Sequence, residues 1–315
     1  MRPQLITWKS QRVLDPGFSF SSVFGRVTGL SLGACANDEA IVKQAAVFKN
    51  QPFHLHVFPR ETPEDGLFES EWYQLDTRRQ ALTELLQTAG LTLHPPGRPY
   101  TNDWVLNVIV SKGETEPALV GVHRHDANHH PLPGALPRIA LPAEAPSRAY
   151  LKLEQALAWA GLDGARSLEG KVALELGCAP GGSTYALLQR GVRVVGVDTA
   201  TMDPVIFKLA KEKGIRFTHL AVPVSEILFD TPLPAEIDLL ISDINLSPTI
   251  VLGYIERVQR KVRAHAMILT LKMNNKGIEA RVPEFLEFIT TITKKRVRAT
   301  QLPANRNEIC VLVGL

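Results

Sequence analysis

The sequence of 315 residues predicts an α/β fold, with a seven-stranded and mostly parallel sheet that follows a small α+β domain. In the second half, short apolar runs alternate with amphipathic stretches, which is typical of a parallel sheet and its covering helices. The stretch PLPGALPRIALPAEAP, Pro131 to Pro146, favours an extended connector because prolines remove backbone donors. We therefore divide the chain into domains 1–140 and 141–315.

The second half contains enough segments for the whole sheet. The candidate strands are 172–176, 192–198, 215–220, 237–243, 266–272, 297–302 and 308–315. The candidate helices are 147–160, 182–189, 203–213, 247–262 and 283–294. The link between the last two strands is too short for a parallel crossover, so these strands are expected to form an antiparallel hairpin. This arrangement is typical of the Rossmann-like fold of class I methyltransferases.

The first 140 residues are predicted to form the small α+β domain. Apolar runs predict strands at 53–58, 104–110 and 118–123, and a helix is predicted at 77–89. Neither an internal repeat nor a low-complexity tract is present in the sequence.

Composition restricts the environment of the protein. The net charge of +3 permits an anionic partner without requiring one. Cys35, Cys178 and Cys310 lie far apart, which fits a reducing compartment better than a disulfide-bonded secreted protein. No run of about 18 apolar residues and no signal-peptide pattern occurs. We therefore expect a cytoplasmic protein with no membrane partner.

A glycine-rich turn predicts a cofactor site. In VALELGCAPGGS, Gly177, Gly181 and Gly182 allow backbone amides to approach a ligand without interference from a Cβ atom. Their spacing differs from the G-x-G-x-x-G pattern of NAD-binding proteins, which argues against a dehydrogenase. Glu175 suits a cationic amino group, Asp198 suits ribose hydroxyls, and the whole set predicts S-adenosylmethionine. The alternative is that these are ordinary helix-start glycines and a strand-end aspartate.

Four charged residues are candidates for catalysis. Asp243 and Lys272 end apolar strands at the edge where open α/β sheets bind ligands, Glu308 begins the last strand, and Lys152 lies on the helix before the glycine turn. If they meet, burial and a neighbouring cation are expected to lower the pKa of one lysine. A neutral lysine can accept the proton of a ribose 2′-hydroxyl. Spacing leaves open the alternative that each residue only forms an ordinary ion pair.

The order of SRAYLKL, ELGCAPGG, SDIN, LKMN and NEICVL resembles that of the RrmJ/FtsJ-type ribose 2′-O-methyltransferases, which carry a Lys-Asp-Lys-Glu tetrad. LPRIALPAEAPSRAYLKLEQAL is similar to one bacterial branch, ribosomal RNA large subunit methyltransferase M. The resemblance implies S-adenosylmethionine as the cofactor, and a cytidine of large-subunit (23S) ribosomal RNA as the substrate. It also implies that residues 1–140 form a THUMP-like RNA-binding domain.

The resemblance also assigns roles to individual residues. Lys272 corresponds to the proton acceptor, and Lys152, Asp243 and Glu308 complete the tetrad. The implied cofactor contacts are Ser147, Ala179, Pro180, Gly181, Gly182, Asp198 and Asp243. The sequence departs from the family after the third strand, where an acid that meets the adenine is missing near Ala221.

Other basic residues and histidines allow more than one interpretation. Arg148 and Arg306 flank tetrad residues and are predicted to bind RNA. The basic runs 257–263 and 294–298 suit phosphate contacts, but a solvated helix face also explains such runs. Four histidines lack accompanying ligands at metal-binding spacing, so they predict a polar loop and no metal: His123, His125, His129 and His130.

The sequence therefore predicts an S-adenosylmethionine-dependent RNA 2′-O-methyltransferase. One alternative is a small-molecule methyltransferase, which would need no separate RNA-binding domain. Another is a noncatalytic RNA-binding or ribosome-assembly factor, which the missing acid near Ala221 favours. The sequence does not indicate an oligomeric state.

Overall fold

The computed structural model divides into two compact units, Met1–Arg138 and Ile139–Leu315. The described residues are Val23 and the ranges 27–61, 67–111, 116–164, 166–227 and 231–315. The opening segment, on which the expected absence of a signal peptide depends, lies outside these residues. None of the helices in the described ranges is both long enough and apolar enough to span a bilayer.

The first unit contains a four-stranded sheet and two α-helices within its described residues. These elements are β1 (Leu30–Cys35), α1 (Asp38–Ala45), β2 (Phe53–Pro59), α2 (Glu69–Thr88), β3 (Trp104–Val110) and β4 (Ala118–Arg124). The strand order is β1-β4-β3-β2, in which only β2 and β3 are parallel neighbours. The sequence missed β1 and α1, and α2 begins well before the predicted start at residue 77.

The four histidines after β3 differ in their positions. His123 belongs to β4, and the N–H of His125 donates to the carbonyl of Asp103 at 2.8 Å, which continues the chain beside β3. His123, His125 and His130 are all buried. The prediction of a polar loop is therefore wrong for His123, because β4 includes this residue, whereas His125 and His130 follow β4 in a loop segment in which both are buried.

The second unit contains a seven-stranded sheet. Its strands are β5 (Val172–Leu176), β6 (Arg193–Val197), β7 (Phe217–Leu220), β8 (Glu236–Ser242), β9 (Arg263–Lys272), β10 (Val297–Thr300) and β11 (Glu308–Val313). Its α-helices are α3 (Ala149–Ala160), α4 (Gly182–Gln189), α5 (Pro204–Glu212), α6 (Pro248–Gln259) and α7 (Val282–Thr293). The strand order is β10-β11-β9-β8-β5-β6-β7, in which β11 runs antiparallel to β10 and to β9 and all other neighbouring strands are parallel. The predicted Rossmann-like fold class is confirmed.

Apolar burial and helix-start residues explain this arrangement. The central strands β5, β8 and β9 are almost continuously buried, as their apolar runs require. Helices α5 and α6 begin with Pro204 and Pro248, since a proline fits the first helical turn. The side chain of Asp203 caps α5 by accepting the N–H of Val205 at 2.9 Å. The carboxyl ends of the parallel strands therefore meet at one edge of the sheet, where such folds bind ligands.

Candidate active site

Four charged side chains converge at the carboxyl edge of the second unit's sheet. Lys272 is the last residue of β9, and the antiparallel register places Glu308, the first residue of β11, directly opposite it. Asp243 immediately follows β8, and Lys152 lies near the start of α3. These residues are distant in the chain but close in space, because the carboxyl ends of β8 and β9 lie side by side and β11 pairs with β9.

The four side chains form a ring in which ammonium and carboxylate groups alternate. Lys152 Nζ lies 3.0 Å from Asp243 Oδ2 and 2.8 Å from Glu308 Oε2. Lys272 Nζ lies 3.1 Å from Asp243 Oδ1 and 2.5 Å from Glu308 Oε1. The side chains are between 10 and 18% exposed, so solvent still reaches the ring. The structure brings the four predicted residues together, and their catalytic role stays a prediction.

The surroundings of the ring set its charge state. Burial lowers the pKa of Lys272, but Asp243 and Glu308 raise it by more, so this pKa lies above its ordinary value. Burial raises the pKa of Glu308, but its bonds to Lys152 and Lys272 bring it below its ordinary value. The expectation that the tetrad by itself holds one lysine neutral is therefore wrong, because two carboxylates outweigh burial and the neighbouring ammonium.

The glycine turn lies against the end of β8. Gly177 has a φ of +78°, and an added Cβ atom would lie 3.0 Å from Ile244 Cγ1 and 3.3 Å from the carbonyl oxygen of Asp243. The N–H of Asp243 in turn donates to the carbonyl of Leu176 at 3.3 Å. The turn and the tetrad thus share a backbone contact that a larger residue at position 177 would disturb.

The remaining predicted residues of the turn surround the start of α4. Gly181 has a φ of +121°, and a Cβ atom on Gly182 would lie 2.3 Å from Ser147 Oγ. Ser147 therefore lies directly against the turn. Ala179 and Pro180, which are joined by a cis peptide bond, complete the segment. The first N–H groups of α4 have no acceptor within the helix, so they are available to a ligand.

The two predicted acids have different surroundings. Glu175 is buried, and Thr184 Oγ1 donates to its carboxyl group at 2.6 Å. Burial raises the pKa of Glu175 to about 8, so near neutral pH it mostly lacks the charge on which the sequence argument depended. The two oxygens of Asp198 accept backbone N–H groups from Ala179 at 3.0 Å and from Ala200 at 2.9 Å.

These residues fit S-adenosylmethionine. A carboxylate oxygen has more than one acceptor position, so Asp198 can fix the turn and also accept bonds from ribose hydroxyls. Asp198 and Asp243 follow neighbouring parallel strands on either side of β5, and the glycine turn follows β5 itself. A cofactor held by the turn would therefore lie between an acceptor for its ribose and the charged tetrad.

The two predicted RNA-binding arginines and the two basic runs lie at different ends of the sheet's strands. Arg148 immediately precedes α3, and the exposed Arg306 lies in the turn between β10 and β11. Both are close in sequence to tetrad residues. The runs 257–263 and 294–298 contribute to a cavity of about 430 Å³ at the start of β9, which is the end opposite the tetrad. That position separates the two runs from the tetrad edge.

Two positioning residues were not predicted. Asn305 Nδ2 donates to Glu308 Oε2 at 3.4 Å, and its Oδ1 accepts the N–H of Leu302 at 3.1 Å. The side chain of Gln155 accepts the N–H of Ala304 at 2.7 Å and so joins α3 to the same turn. The available signal was weak, since it consisted of a glutamine in a mostly apolar helix and an asparagine in a short turn.

The fold and the site are typical of an S-adenosylmethionine-dependent methyltransferase domain. Comparison with protein families specifies it further, because residues 145–283 match the family described as FtsJ-like methyltransferase. This part of the chain is therefore similar to the FtsJ-like methyltransferases. The family predicted from the motifs, the methyltransferase class and the cofactor are confirmed.

Two relatives with similar sequences have the same name. Ribosomal RNA large subunit methyltransferase M from Halorhodospira halophila is 32% identical over 179 residues, which cover 57% of this chain and 50% of that protein. The protein of the same name from Marinobacter nauticus is 41% identical over 106 residues, which cover 32% of this chain and 29% of that protein. The chain spans about half the length, or less, of these curated relatives.

A solved structure is also similar to part of the chain. The 1,6-didemethyltoxoflavin-N1-methyltransferase of Burkholderia thailandensis is 20% identical, with a TM-score of 0.38 over 54% of this chain and 77% of that one. This likeness is too weak to support an inference about function.

Proposed function

We propose that the chain transfers a methyl group from S-adenosylmethionine to a ribose 2′-hydroxyl of RNA. The observation that carries this proposal is the contact of the glycine turn with the backbone of Asp243, whose carboxylate belongs to the ring of Lys152, Lys272 and Glu308. The names of the relatives support a large-subunit ribosomal RNA substrate. The motif resemblance supports a cytidine as the target nucleotide.

In this proposal the chain's own residues bind and orient the reactants. S-adenosylmethionine, when bound, supplies an electrophilic methyl group on a sulfonium centre. The turn at Gly177, Gly181 and Gly182 would hold it through backbone groups, Asp198 would accept bonds from its ribose, and Asp243 would lie beside the methyl group. Transfer of that methyl group to the ribose oxygen would release the hydroxyl proton, which Lys272 Nζ would accept in its neutral form.

The raised pKa of Lys272 must be overcome for this step. Without another charge, two ammonium and two carboxylate groups balance in the ring. A cationic ligand beside Asp243 adds a third positive charge, which lowers the pKa of Lys272 because like charges disfavour the protonated amine. Once the proton has been transferred, Asp243 and Glu308 stabilise the ammonium group that results. Lys152 keeps both carboxylates oriented.

We further propose that residues 1–140 form a THUMP-like RNA-binding domain. Support comes from the exposed aromatic side chains of Phe68, Tyr73 and Tyr100 in the first unit, since bases stack on such groups. Arg148 and Arg306 would bind phosphates near the target nucleotide.

The test is methylation by the full chain with isotope-labelled S-adenosylmethionine. Ribosomal RNA and large-subunit particles are offered separately, and the ribose-methylated position is then mapped. We expect one 2′-O-methylated cytidine, and no product from Lys272→Ala, which should still bind the cofactor in calorimetry. Cofactor binding without RNA methylation would refute the proposal in favour of another substrate, and failure to bind the cofactor would favour a noncatalytic RNA-binding factor.

A further inference from the structure

Histidines are concentrated in the first unit. His219 and His265 lie in the second unit, and the other seven of the nine lie in the first: His54, His56, His94, His123, His125, His129 and His130. Ring nitrogens of four of them are buried without a hydrogen-bond partner among the described residues, namely those of His56, His123, His125 and His130. Buried polar atoms of this kind call for an explanation, and methyl transfer uses none of them.

Three potential metal ligands meet at one end of the four-stranded sheet. A short segment after α2 runs beside β2, because the N–H of His94 donates to the carbonyl of Phe53 at 2.9 Å. This bond places His94 next to His54, the second residue of β2. Asp103 immediately precedes β3, the parallel neighbour of β2. The three side chains therefore come from backbone segments that are hydrogen-bonded to one another or to the sheet.

The ligand atoms of this trio are close together. One atom from each of His54, His94 and Asp103 lies within 4.8 Å of the other two. His54 Nε2 lies 3.0 Å from Asp103 Oδ2, and the two imidazole rings stack with their centroids 4.5 Å apart. The N–H of Tyr100 donates to Asp103 Oδ2 at 2.7 Å, which orients the carboxylate as outer-shell partners of metal ligands do.

Burial and exposure are also suitable for a metal ion. His54 is buried, whereas His94 and Asp103 are half-buried, so an ion can reach the trio from solvent. The nearby His125 adds a buried Nδ1 atom without a partner among the described residues, so the surroundings of the trio are polar.

We propose that His54, His94 and Asp103 bind a divalent transition-metal ion that stabilises the first unit. Two imidazole nitrogens and one carboxylate oxygen form a ligand set that Zn²⁺ accepts, with a further position for water. The ion takes the place of the proton between His54 Nε2 and Asp103 Oδ2. It connects the segment after α2 to β2 and β3. The sequence-based prediction of no metal rested on the four histidines from His123 to His130. It did not consider His54, His94 and Asp103, because these three residues share no sequence motif.

The test measures Zn²⁺ binding to the full chain after metal is removed with a chelator. Calorimetry should show one equivalent bound to the wild type, and His94→Gln should weaken binding by at least about tenfold. The matched control is His265→Gln in the second unit, which removes an exposed imidazole 2.7 Å from Glu236 and should leave binding unchanged. Asp103→Asn provides a second variant if circular dichroism shows that His94→Gln does not fold.

Two further readouts do not depend on methylation. Co²⁺ should give visible absorption bands with the wild type that are lost in His94→Gln. Zn²⁺ should raise the unfolding temperature of the wild type and of His265→Gln, and should raise that of His94→Gln by less. Equal Zn²⁺ affinity in the wild type and both folded ligand variants, or no binding to the wild type, would overturn the proposal. The trio would then be a hydrogen-bonded group only, and the proposed methyl transfer would be unaffected.

Discussion

Replacing Lys272 with methionine isolates the charge of the proposed base, because methionine keeps much of the length of the lysine side chain. In the native ring, two ammonium groups face two carboxylates. In Lys272→Met, Asp243 and Glu308 share only Lys152, at 3.0 and 2.8 Å, and the ring has a net charge of −1. The variant therefore separates the loss of a base from the loss of the site.

The structure sets the expected size of each effect. Removing one partner of a buried ion pair costs about 3–5 kcal/mol. Because the ring side chains are 10 to 18% exposed, solvent screens the charge that remains. We therefore expect a loss of about 2–3 kcal/mol in the free energy of unfolding. The rate of methyl transfer should fall by about 10²–10⁴, which is the contribution of a general base.

Cofactor binding should change in a characteristic direction. A ring of net charge −1 attracts the sulfonium of S-adenosylmethionine, whereas S-adenosylhomocysteine lacks that charge. The ratio of their affinities should therefore shift toward S-adenosylmethionine in Lys272→Met.

Single-turnover methylation of ribosomal RNA, calorimetry with both ligands and urea denaturation measure the three effects. The matched control is Lys171→Met, which removes a half-exposed ammonium 2.9 Å from Asp238 in the same unit. This control should cost less than about 1 kcal/mol and leave the rate unchanged. A wild-type rate in Lys272→Met would refute the reasoning. If Lys272→Met bound S-adenosylmethionine and S-adenosylhomocysteine with equally reduced affinity, and saturating cofactor restored the rate, Lys272 would be a structural residue.

Three further predictions test the turn, the base and the histidines. Gly182→Ala should weaken S-adenosylmethionine binding about tenfold or more, because the added Cβ would lie 2.3 Å from a serine oxygen. Gly253→Ala, where nothing lies within 4 Å, is the control, and equal binding by both variants in calorimetry would contradict the close approach. The methylation rate at subsaturating RNA and S-adenosylmethionine should rise about tenfold per pH unit between about pH 7 and about pH 9, because that rate reports the unliganded chain, in which the pKa of Lys272 is raised and only its neutral form accepts a proton. A flat profile would exclude that base. Burial lowers the pKa of His56 and of His130 from the ordinary value of 6.5 to about 3. Below about pH 6.5, protons therefore bind mainly to the unfolded chain, and the free energy of unfolding falls as the pH falls. From about pH 7 to about pH 5 the loss should be ~4 kcal/mol for the two together, and unchanged hydrogen-exchange protection in β2 would count against it.

The parallel core was predictable because its physical requirements are local. A strand buried on both faces needs a continuous apolar run, and β5 and α4 have the predicted bounds, Val172–Leu176 and Gly182–Gln189. By contrast, β1 was missed because Gly33, with a φ of +112°, shifts its register against β4 and interrupts the alternation of side chains. Long-range pairing stabilises that strand, and its own residues carry little signal.

The identity of the tetrad residues was predictable, but their charge state was not. Strand ends and motif order identify Asp243 and Lys272, since parallel strands place their carboxyl ends together. A pKa depends on distances of a few ångströms, and Lys272 contacts two carboxylates that the sequence cannot position. The depth of Glu175 is a similar case, because a strand pattern indicates that a residue faces inward without showing whether it reaches the ligand.

A ring with no net charge would resolve the conflict between the raised pKa of Lys272 and its proposed role as base. Two lysines and two carboxylates offset one another's desolvation, so the group is stable at the sheet edge before any ligand binds. A cationic ligand beside Asp243 disturbs this balance, and loss of the Lys272 proton restores it. The proton acceptor would then become active only when the methyl donor is in place. After the proposed transfer the product would carry no sulfonium charge, so Lys272 would retain the proton that it accepted and the ring would again have no net charge.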